Sequence, residues 1–521
     1  MPDQPAIIEI RTRAQITFKQ LEEESNLIAS GLLHYGLKKG DRVLVMVPYG
    51  VDFVTLTFGL FKAGAVPVLI DPGLGKKNVL RCIKQSEPQG IIAIPLVHAV
   101  KTLIPAPFKS IRLSVTVGRK WFWQGPTLDQ VKRNGQPGYQ VGNIPEEQAA
   151  AVLFTSGSTG PAKGVLYTHG MFGQQIRILC EHFGILPGEK DLPTFPLFGL
   201  FSTGMGMTSV IPDMDPTHPA KVNPENIIHP IQNHHITSSF GSPALWDTVS
   251  RYCQKSKIKL PSLRRILIAG APVPGTLLKR FESILEPDCK VLTPYGATEA
   301  LPVTSIERQE ILDDTWAQSE KGEGTCVGKP VPGAEIKIIR ISDEPIPKWE
   351  KGLEIPKGQT GEIIVKAPWV TKTYFNREDV TRLAKIPDGN TFWHRMGDVG
   401  KWDEQNRLWF CGRKSHRVII GLETLFTIPC EAIFNQHTDV KRSALVGKGS
   451  NGEPVIIIEP ENKDRVAKDR KTFTKELLEL GAAHPHTRSI KKILFHPEFP
   501  VDVRHNAKIF REKLADWAES Q

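Results

Sequence analysis

No apolar run in this sequence approaches the roughly 20 residues that a bilayer-spanning helix needs. The N-terminus carries Asp3, Glu9 and Arg11 where a signal peptide would have an apolar region. Both absences lead us to expect a cytoplasmic protein without a transmembrane segment. Cysteine is sparse. Cys82, Cys180, Cys253, Cys289, Cys326, Cys411 and Cys430 are odd in number, scattered and without metal-ligand spacing. That excludes a disulfide framework or a zinc module and leaves buried small hydrophobes in a reducing compartment. Internal repeats and low-complexity tracts are missing, and 40% hydrophobic with 23% charged residues argues against disorder. Acidic residues are outnumbered, giving a net charge of +10. Such a charge allows nucleic-acid or membrane-surface binding. The basic residues are dispersed, however, with no aromatic–basic RNA signature. A solvated basic surface that also favours an anionic ligand is the preferred reading, and no nucleic-acid partner is expected.

The chain of 521 residues exceeds one compact core, so two domains are expected. Residues 16–35 read as a helix with a Thr17/Gln20 capping box, Leu21, Ile28 and Leu32 on one face, and Gly36 at its end. Residues 41–47 and 65–70 read as buried strands flanking a helical segment over 51–62. Further strands are expected at 90–96, 236–240, 265–269 and 362–366. This alternation predicts an α/β fold with parallel layers. The Pro/Gly-rich passage 321–333 reads as a loop between subregions.

The densest chemistry lies in Phe154-Thr155-Ser156-Gly157-Ser158-Thr159-Gly160-Pro161-Ala162-Lys163-Gly164, after the apolar run Ala149 to Leu153. Glycines let successive backbone N–H groups turn toward one anion, hydroxyls add donors, and Lys163 adds a mobile positive charge. That composition suits a polyphosphate. It is not the Walker pattern, in which Gly-Lys is followed by Ser or Thr as a magnesium ligand, because Gly164 follows Lys163. A magnesium ligand must come from elsewhere. Three further segments follow in order: Tyr295-Gly296-Ala297-Thr298-Glu299, then Gly397-Asp398-Val399-Gly400 with Arg407 to Arg413, then Pro500 to Lys508.

With these segments in this order and spacing, nearly the whole chain resembles the adenylate-forming superfamily of acyl-CoA synthetases, peptide-synthetase adenylation domains and luciferases. The resemblance implies a large N-terminal domain of layered α/β subdomains over 1–413, which binds AMP and the acyl group. It implies a small mobile C-terminal α/β lid over 414–521, hinged near Lys414-Ser415 and carrying the catalytic lysine. The start is short for the family, since residues 2–7 resemble a motif that usually follows an additional helix; an upstream start codon would account for that. By resemblance, Thr155, Ser156, Gly157, Ser158, Thr159, Gly160 and Lys163 cover the β- and γ-phosphates of ATP. Glu299 holds Mg²⁺, a hard cation that wants oxygen ligands, and Thr298 contacts the α-phosphate. Asp398 accepts hydrogen bonds from the ribose hydroxyls, and Arg413 reaches the ribose or phosphate side. Tyr295 stacks on adenine beside Gly296, with Gly270, Ala271 and Pro272 as the adenine-side wall. Lys508, within the match through Arg504, Asn506 and Arg511, sits between the substrate carboxylate and the α-phosphate. Phe198, Phe201, Met205, Phe240 and Gly241 are expected to line the acyl pocket.

Departures from the superfamily narrow the expectation. Histidine often follows its Pro-x-Phe segment, where this chain has Gly199. The hinge residue is Ser415, and residues 416–423 replace the usual Lys-x-x-Gly stretch that helps CoA ligases rebuild their site. Residues 65–73, the form YGATEALP over 295–302, residues 412–417 and the RHNAKI segment are similar to the β-lactone synthetases of bacterial long-chain olefin biosynthesis. That resemblance implies adenylation of a 2-alkyl-3-hydroxy fatty acid followed by ring closure, with enzymes of the same lipid pathway as possible partners. The alternative keeps adenylation but passes the acyl group to CoA or a carrier-protein thiol.

Overall fold

A computed structural model describes residues 1–155, 162–449, 452–502 and 509–521. Two large sheets carry most of the chain. The first has six strands in the order Leu113–Thr116, Gly90–Ala93, Arg42–Met46, Val66–Ile70, Ala149–Thr155, Lys163–Thr168. All neighbours are parallel except the last pair, which is antiparallel. Its central strand Val66–Ile70 is apolar at every position, as a parallel strand covered on both faces must be.

The second sheet changes character half-way. Strands Pro5–Glu9, Thr208–Ile211, Lys190–Pro193, Ser238–Gly241, Arg265–Ile268 and Lys290–Ala297 are parallel neighbours. From Lys290–Ala297 onward the pairing is antiparallel, through Ala300–Glu307, Thr325–Pro330, Leu408–Arg413, Thr391–Trp402 and Gly361–Lys366. The switch gives one sheet a helix-covered parallel half and a hairpin-built half, and the chemistry-bearing segments lie along the second. A separate three-stranded sheet near the C-terminus joins Val440–Lys448, Glu453–Pro460 and Lys492–Phe495, packed by the helices Thr427–Phe434 and Arg511–Glu519. The expected α/β class is therefore correct.

Local expectations held where a cap or an apolar run marked the element. The first long helix spans Phe18–His34, with Gln20 N–H donating to Thr17 Oγ1 at 3.2 Å and Thr17 N–H to Gln20 Oε1 at 2.8 Å. The strand at Gly90 ends at Ala93, earlier than expected, because Pro95 opens a helix over Pro95–Leu103. The passage 321–333 is not simply a loop. It contains the strand Thr325–Pro330, which joins the two parts of the larger sheet. Gly328 sits at φ +83°, and a Cβ there would meet the Ser305 carbonyl at 2.1 Å; the glycine that reads as a loop marker serves the irregularity in this pairing. All seven cysteines are free, six buried and Cys180 half-buried. Among the described residues no helix is long and apolar enough to cross a membrane.

Candidate active site

A cavity of about 1720 Å³ opens between the sheets and the C-terminal segment. One end is polar, and hairpins build it. Strands Lys290–Ala297 and Ala300–Glu307 pair with Ala297 opposite Ala300, so Thr298 and Glu299 are the two residues of the turn. Gly296 is required before this turn, since a Cβ would lie 2.5 Å from the Ala300 carbonyl oxygen. The turn is tied down from three sides. Tyr167 donates its hydroxyl to the Thr298 carbonyl, Thr371 N–H donates to the Glu299 carbonyl at 2.9 Å, and the Tyr374 hydroxyl donates to Glu299 Oε1 at 2.6 Å.

Beside it, Asp398 and Arg413 face each other across antiparallel strands. Arg413 Nη1 donates to Asp398 Oδ1 at 2.7 Å, and the Tyr295 hydroxyl donates to Oδ2 at 2.6 Å. Asp398 is buried. Its charge raises the Arg413 pKa, and burial together with that charge raises the Tyr295 phenol well above its ordinary value. Arg413 Nε is buried without a partner among the described residues, an unspent donor at the cavity wall. Tyr295 rests its ring against Phe410, with centroids 6.1 Å apart, while lining the cavity with Gly270, Ala271 and Pro272.

Lys163 begins the strand opposite Thr155 and also lines this end. Burial lowers its pKa, and its Nζ lies 5.5 Å from the Tyr374 ring centroid. Ser156, Gly157, Ser158, Thr159 and Gly160 lie outside the described residues, as does Lys508 with Arg504 and Asn506. Ile509 and Arg511, just after them, line the same cavity. Arg511 is anchored by Glu431, with Nε to Oε1 at 3.0 Å and Nη2 to Oε2 at 2.6 Å. Lys414, Ser415 and His416, which follow the strand Leu408–Arg413, also line the cavity. Lys414 Nζ approaches Glu362 Oε1 at 3.3 Å, and Glu362 is itself held by Arg395 at 2.7 Å, both nearly water-free.

The other end is apolar. Phe198 and Phe240 stack with centroids 3.4 Å apart and line the wall together with Pro196 and Leu197. Three expected pocket residues do not reach it. Phe201 and Met205 pack instead into a cluster with Leu179, Met207 and Leu267, and Gly241 lies under Trp246, whose Nε1 would be 2.6 Å from an added Cβ. The reason is geometric: only the first turn of the helix Pro196–Gly204 meets the cavity, and the later turn continues into the core.

Gly199 has its own explanation. A Cβ there would lie 1.7 Å from the Tyr49 hydroxyl oxygen. Tyr49 lines the apolar end, its hydroxyl 3.5 Å from Ser209 Oγ, and burial raises its pKa. The phenol thus occupies the space into which a side chain at 199 would project.

The model of the AMP-binding enzyme family matches residues 1–375. The chain belongs to that family. As an AMP-binding enzyme it is an AMP-forming ligase, and its relatives span it nearly end to end. It is 46% identical over 515 residues to the olefin beta-lactone synthetase of Xanthomonas campestris pv. campestris, with 97% of this chain and 91% of that one aligned. It is 44% identical over 512 residues to the olefin beta-lactone synthetase of Stenotrophomonas maltophilia, covering 97% and 92%. The solved O-succinylbenzoate Coenzyme A synthetase of Bacillus subtilis, in complex with AMP, superposes with a TM-score of 0.77 over 98% of this chain and 95% of that one, at 21% identity. That superposition shows the shared fold.

Motif reading missed several residues that build this AMP-binding enzyme's polar end. Tyr167, Tyr374, Lys385, His394 and the Arg395–Glu362 pair carry no local signature. Each sits alone in an ordinary strand or loop and meets the cavity groups only through the fold. Tyr49 had an indirect signal, the glycine at 199 that calls for something else to fill its place.

Proposed function

We propose that the enzyme activates a 2-alkyl-3-hydroxy fatty acid with ATP and closes it to a β-lactone. One observation carries the reading: a single cavity joins the Asp398–Arg413–Tyr295 and Glu299 cluster to an apolar aromatic limb. Support comes from the near-full-length similarity to enzymes named for β-lactone synthesis.

The polar end fits a nucleotide. Asp398 is a carboxylate with lone pairs left for ribose hydroxyls, Arg413 Nε is a donor without a partner among the described residues, and Lys163 is a desolvated cation. Residues 155–160 cover the β- and γ-phosphates, and Gly270, Ala271, Pro272, Tyr295 and Gly296 surround the base. Magnesium fits as well. No group of three carboxylate, histidine or cysteine side chains is placed to hold a metal ion among the described residues, but Mg²⁺ is commonly held by one or two carboxylates plus substrate phosphates and water. Glu299 is that carboxylate, and bound Mg²⁺ would neutralise phosphate charge.

In the first step an oxygen of the substrate carboxylate attacks the α-phosphorus and pyrophosphate leaves. Thr298 and Lys508 contact the reacting groups, and the lysine steadies the carboxylate and the phosphate before and during attack. Lys508 is delivered by a C-terminal domain over 414–521 that moves against 1–413 about Lys414-Ser415. In the second step the substrate's own β-hydroxyl oxygen attacks the acyl carbonyl, losing its proton, and AMP leaves as the four-membered ring closes. An intramolecular nucleophile has a high effective molarity, so no second acceptor is needed.

Mass spectrometry of products from Mg·ATP and a 2-alkyl-3-hydroxy fatty acid, with and without CoA, tests this. Substrate minus water plus AMP, unaffected by CoA, is expected. An acyl-CoA formed only with CoA would make the enzyme a ligase to thiols.

A further inference from the structure

Exposed large apolar side chains are unevenly spread over the molecule. Of eleven among the described residues, five fall within residues 96–122: Leu96, Leu103, Ile104, Trp121 and Phe122. They are not marginal cases, since Leu103 is 80% and Phe122 74% exposed. Leu96 and Leu103 are seven residues apart at the two ends of the helix Pro95–Leu103 and so share one side of it.

The aromatic turn is held firmly to this helix. His98, on the helix's buried side, stacks on Trp123 with ring centroids 5.3 Å apart and bonds the Val115 carbonyl through Nε2 at 3.0 Å. Trp123 donates to Thr116 Oγ1 at 2.8 Å, and Trp121 and Phe122 flank its ring at 5.4 and 5.3 Å. Lys120 Nζ closes the turn on the Gly125 carbonyl at 2.9 Å. Trp121 and Phe122 are therefore presented outward from a built support, which includes a buried tryptophan.

Charge in this segment has one sign. Residues 88–128 contain five lysines and arginines and not one aspartate or glutamate. Arg112 is paired with Asp41, and Lys101 donates to Ser114 Oγ, but Lys109 and Arg119 are exposed. The same helix reaches the cavity. Ile94, just before it, and Val97, in its first turn, line the apolar end.

We propose that residues 96–122 form a docking surface for a lipid bilayer containing anionic lipids. Tryptophan and phenylalanine beside arginine and lysine match the headgroup boundary, where amphipathic rings and basic side chains are both favoured. A second copy of the same face is disfavoured, because a symmetric contact would set like charges against each other. Docking brings Ile94 and Val97 close to the membrane, where a long-chain acid partitions. The docking itself holds whatever acid the enzyme uses.

The test is co-sedimentation of the full-length protein with large vesicles. The wild type is expected to pellet with vesicles of phosphatidylglycerol and phosphatidylethanolamine, and less with pure phosphatidylcholine or in high salt. Replacing Trp121→Ser and Phe122→Ser together should lower vesicle partitioning roughly tenfold or more. Replacing Lys109→Ala and Arg119→Ala should cost about fivefold per charge on anionic vesicles only. Thermal melting and ATP–pyrophosphate exchange with a short-chain acid should match wild type in both variants, which separates lost docking from lost folding. Three results would overturn the proposal: no partitioning of the wild type, equal partitioning of the variants, or an oligomer that Trp121→Ser/Phe122→Ser dissociates while vesicles bind nothing.

Discussion

The two ends of the cavity are made by different means. At the polar end each key group is pinned by a named hydrogen bond, Asp398 by Tyr295 and Arg413, Glu299 by Tyr374. At the apolar end the shape comes from packing, Phe198 against Phe240 and Tyr49 over Gly199. Hydrogen bonds fix direction, whereas packing fixes only volume. Substitutions at the polar end should therefore remove a chemical step, and those at the apolar end should change stability or the acids accepted.

The largest expected effect is that of Lys508, the lysine proposed above to act on the reacting groups. Lys508→Ala should lower ATP–pyrophosphate exchange by about 10²–10³-fold, the scale for losing one charge-stabilising group in a transition state. Calorimetric ATP binding should persist. Near-wild-type exchange would remove the lysine from the first step and weaken the contrast at its strongest point.

At the apolar end, Phe198 in the wall and Met205 in the core behind it separate the two roles. Met205→Ala should cost about 2–4 kcal/mol in denaturant unfolding, because it opens a void among Leu179, Met207 and Leu267. It should leave chain-length preference unchanged. Phe198→Ala should shift that preference. If Met205→Ala shifts it as well, the cavity extends further along the helix than its first turn.

Gly199 tests packing more directly. Gly199→Ala should cost about 1–3 kcal/mol through overpacking against the Tyr49 phenol and weaken acid binding. Adding Tyr49→Ala in the same chain should recover part of that loss, giving a non-zero coupling energy in a double-mutant cycle. Strictly additive effects would mean that the two residues do not share one space.

The same division explains what could be read from the sequence. Asp398, Arg413, Tyr295, Glu299 and Lys163 belong to short motifs, because a turn or a hairpin strand brings each to the cavity with its neighbours in fixed offsets. The apolar run at 149–153 was equally plain and lies within the strand Ala149–Thr155, whereas its antiparallel partner Lys163–Thr168 had no such signal. Phe201 and Met205 pack into the core behind the wall, and an aromatic helix segment does not say where the cavity ends and the core begins. Tyr374 and Tyr167 were invisible for a further reason. They reach Glu299 and Thr298 across 75 and 131 residues of chain, and no local pattern encodes such a meeting. The acid-free stretch 88–128 was in plain sight, but dispersed charge conceals a one-signed face until Trp121 and Phe122 are seen outside.

Lys385 sharpens the comparison from beneath the polar end. It is buried, donates to the Thr371 carbonyl, and sits close enough to feel Glu299. Burial pushes its pKa down from 10.5 to about 7, with Glu299 opposing the fall, and the adjacent buried His394 is held well below its ordinary value by burial and by Lys385. A folded pKa below the unfolded one means that the unfolded chain binds more protons between the two values. Stability should therefore rise with pH from about 7 upward, by at most about 1.4 kcal/mol per pH unit from this group. Urea unfolding of wild type and Lys385→Met between about pH 7 and 8.5 isolates the contribution, since the buried cysteines titrate alike in both chains. The stability difference should move in favour of the wild type as pH rises. Parallel curves would mean that Lys385 is protonated at its buried position throughout, with Glu299 compensating the charge more strongly than burial opposes it.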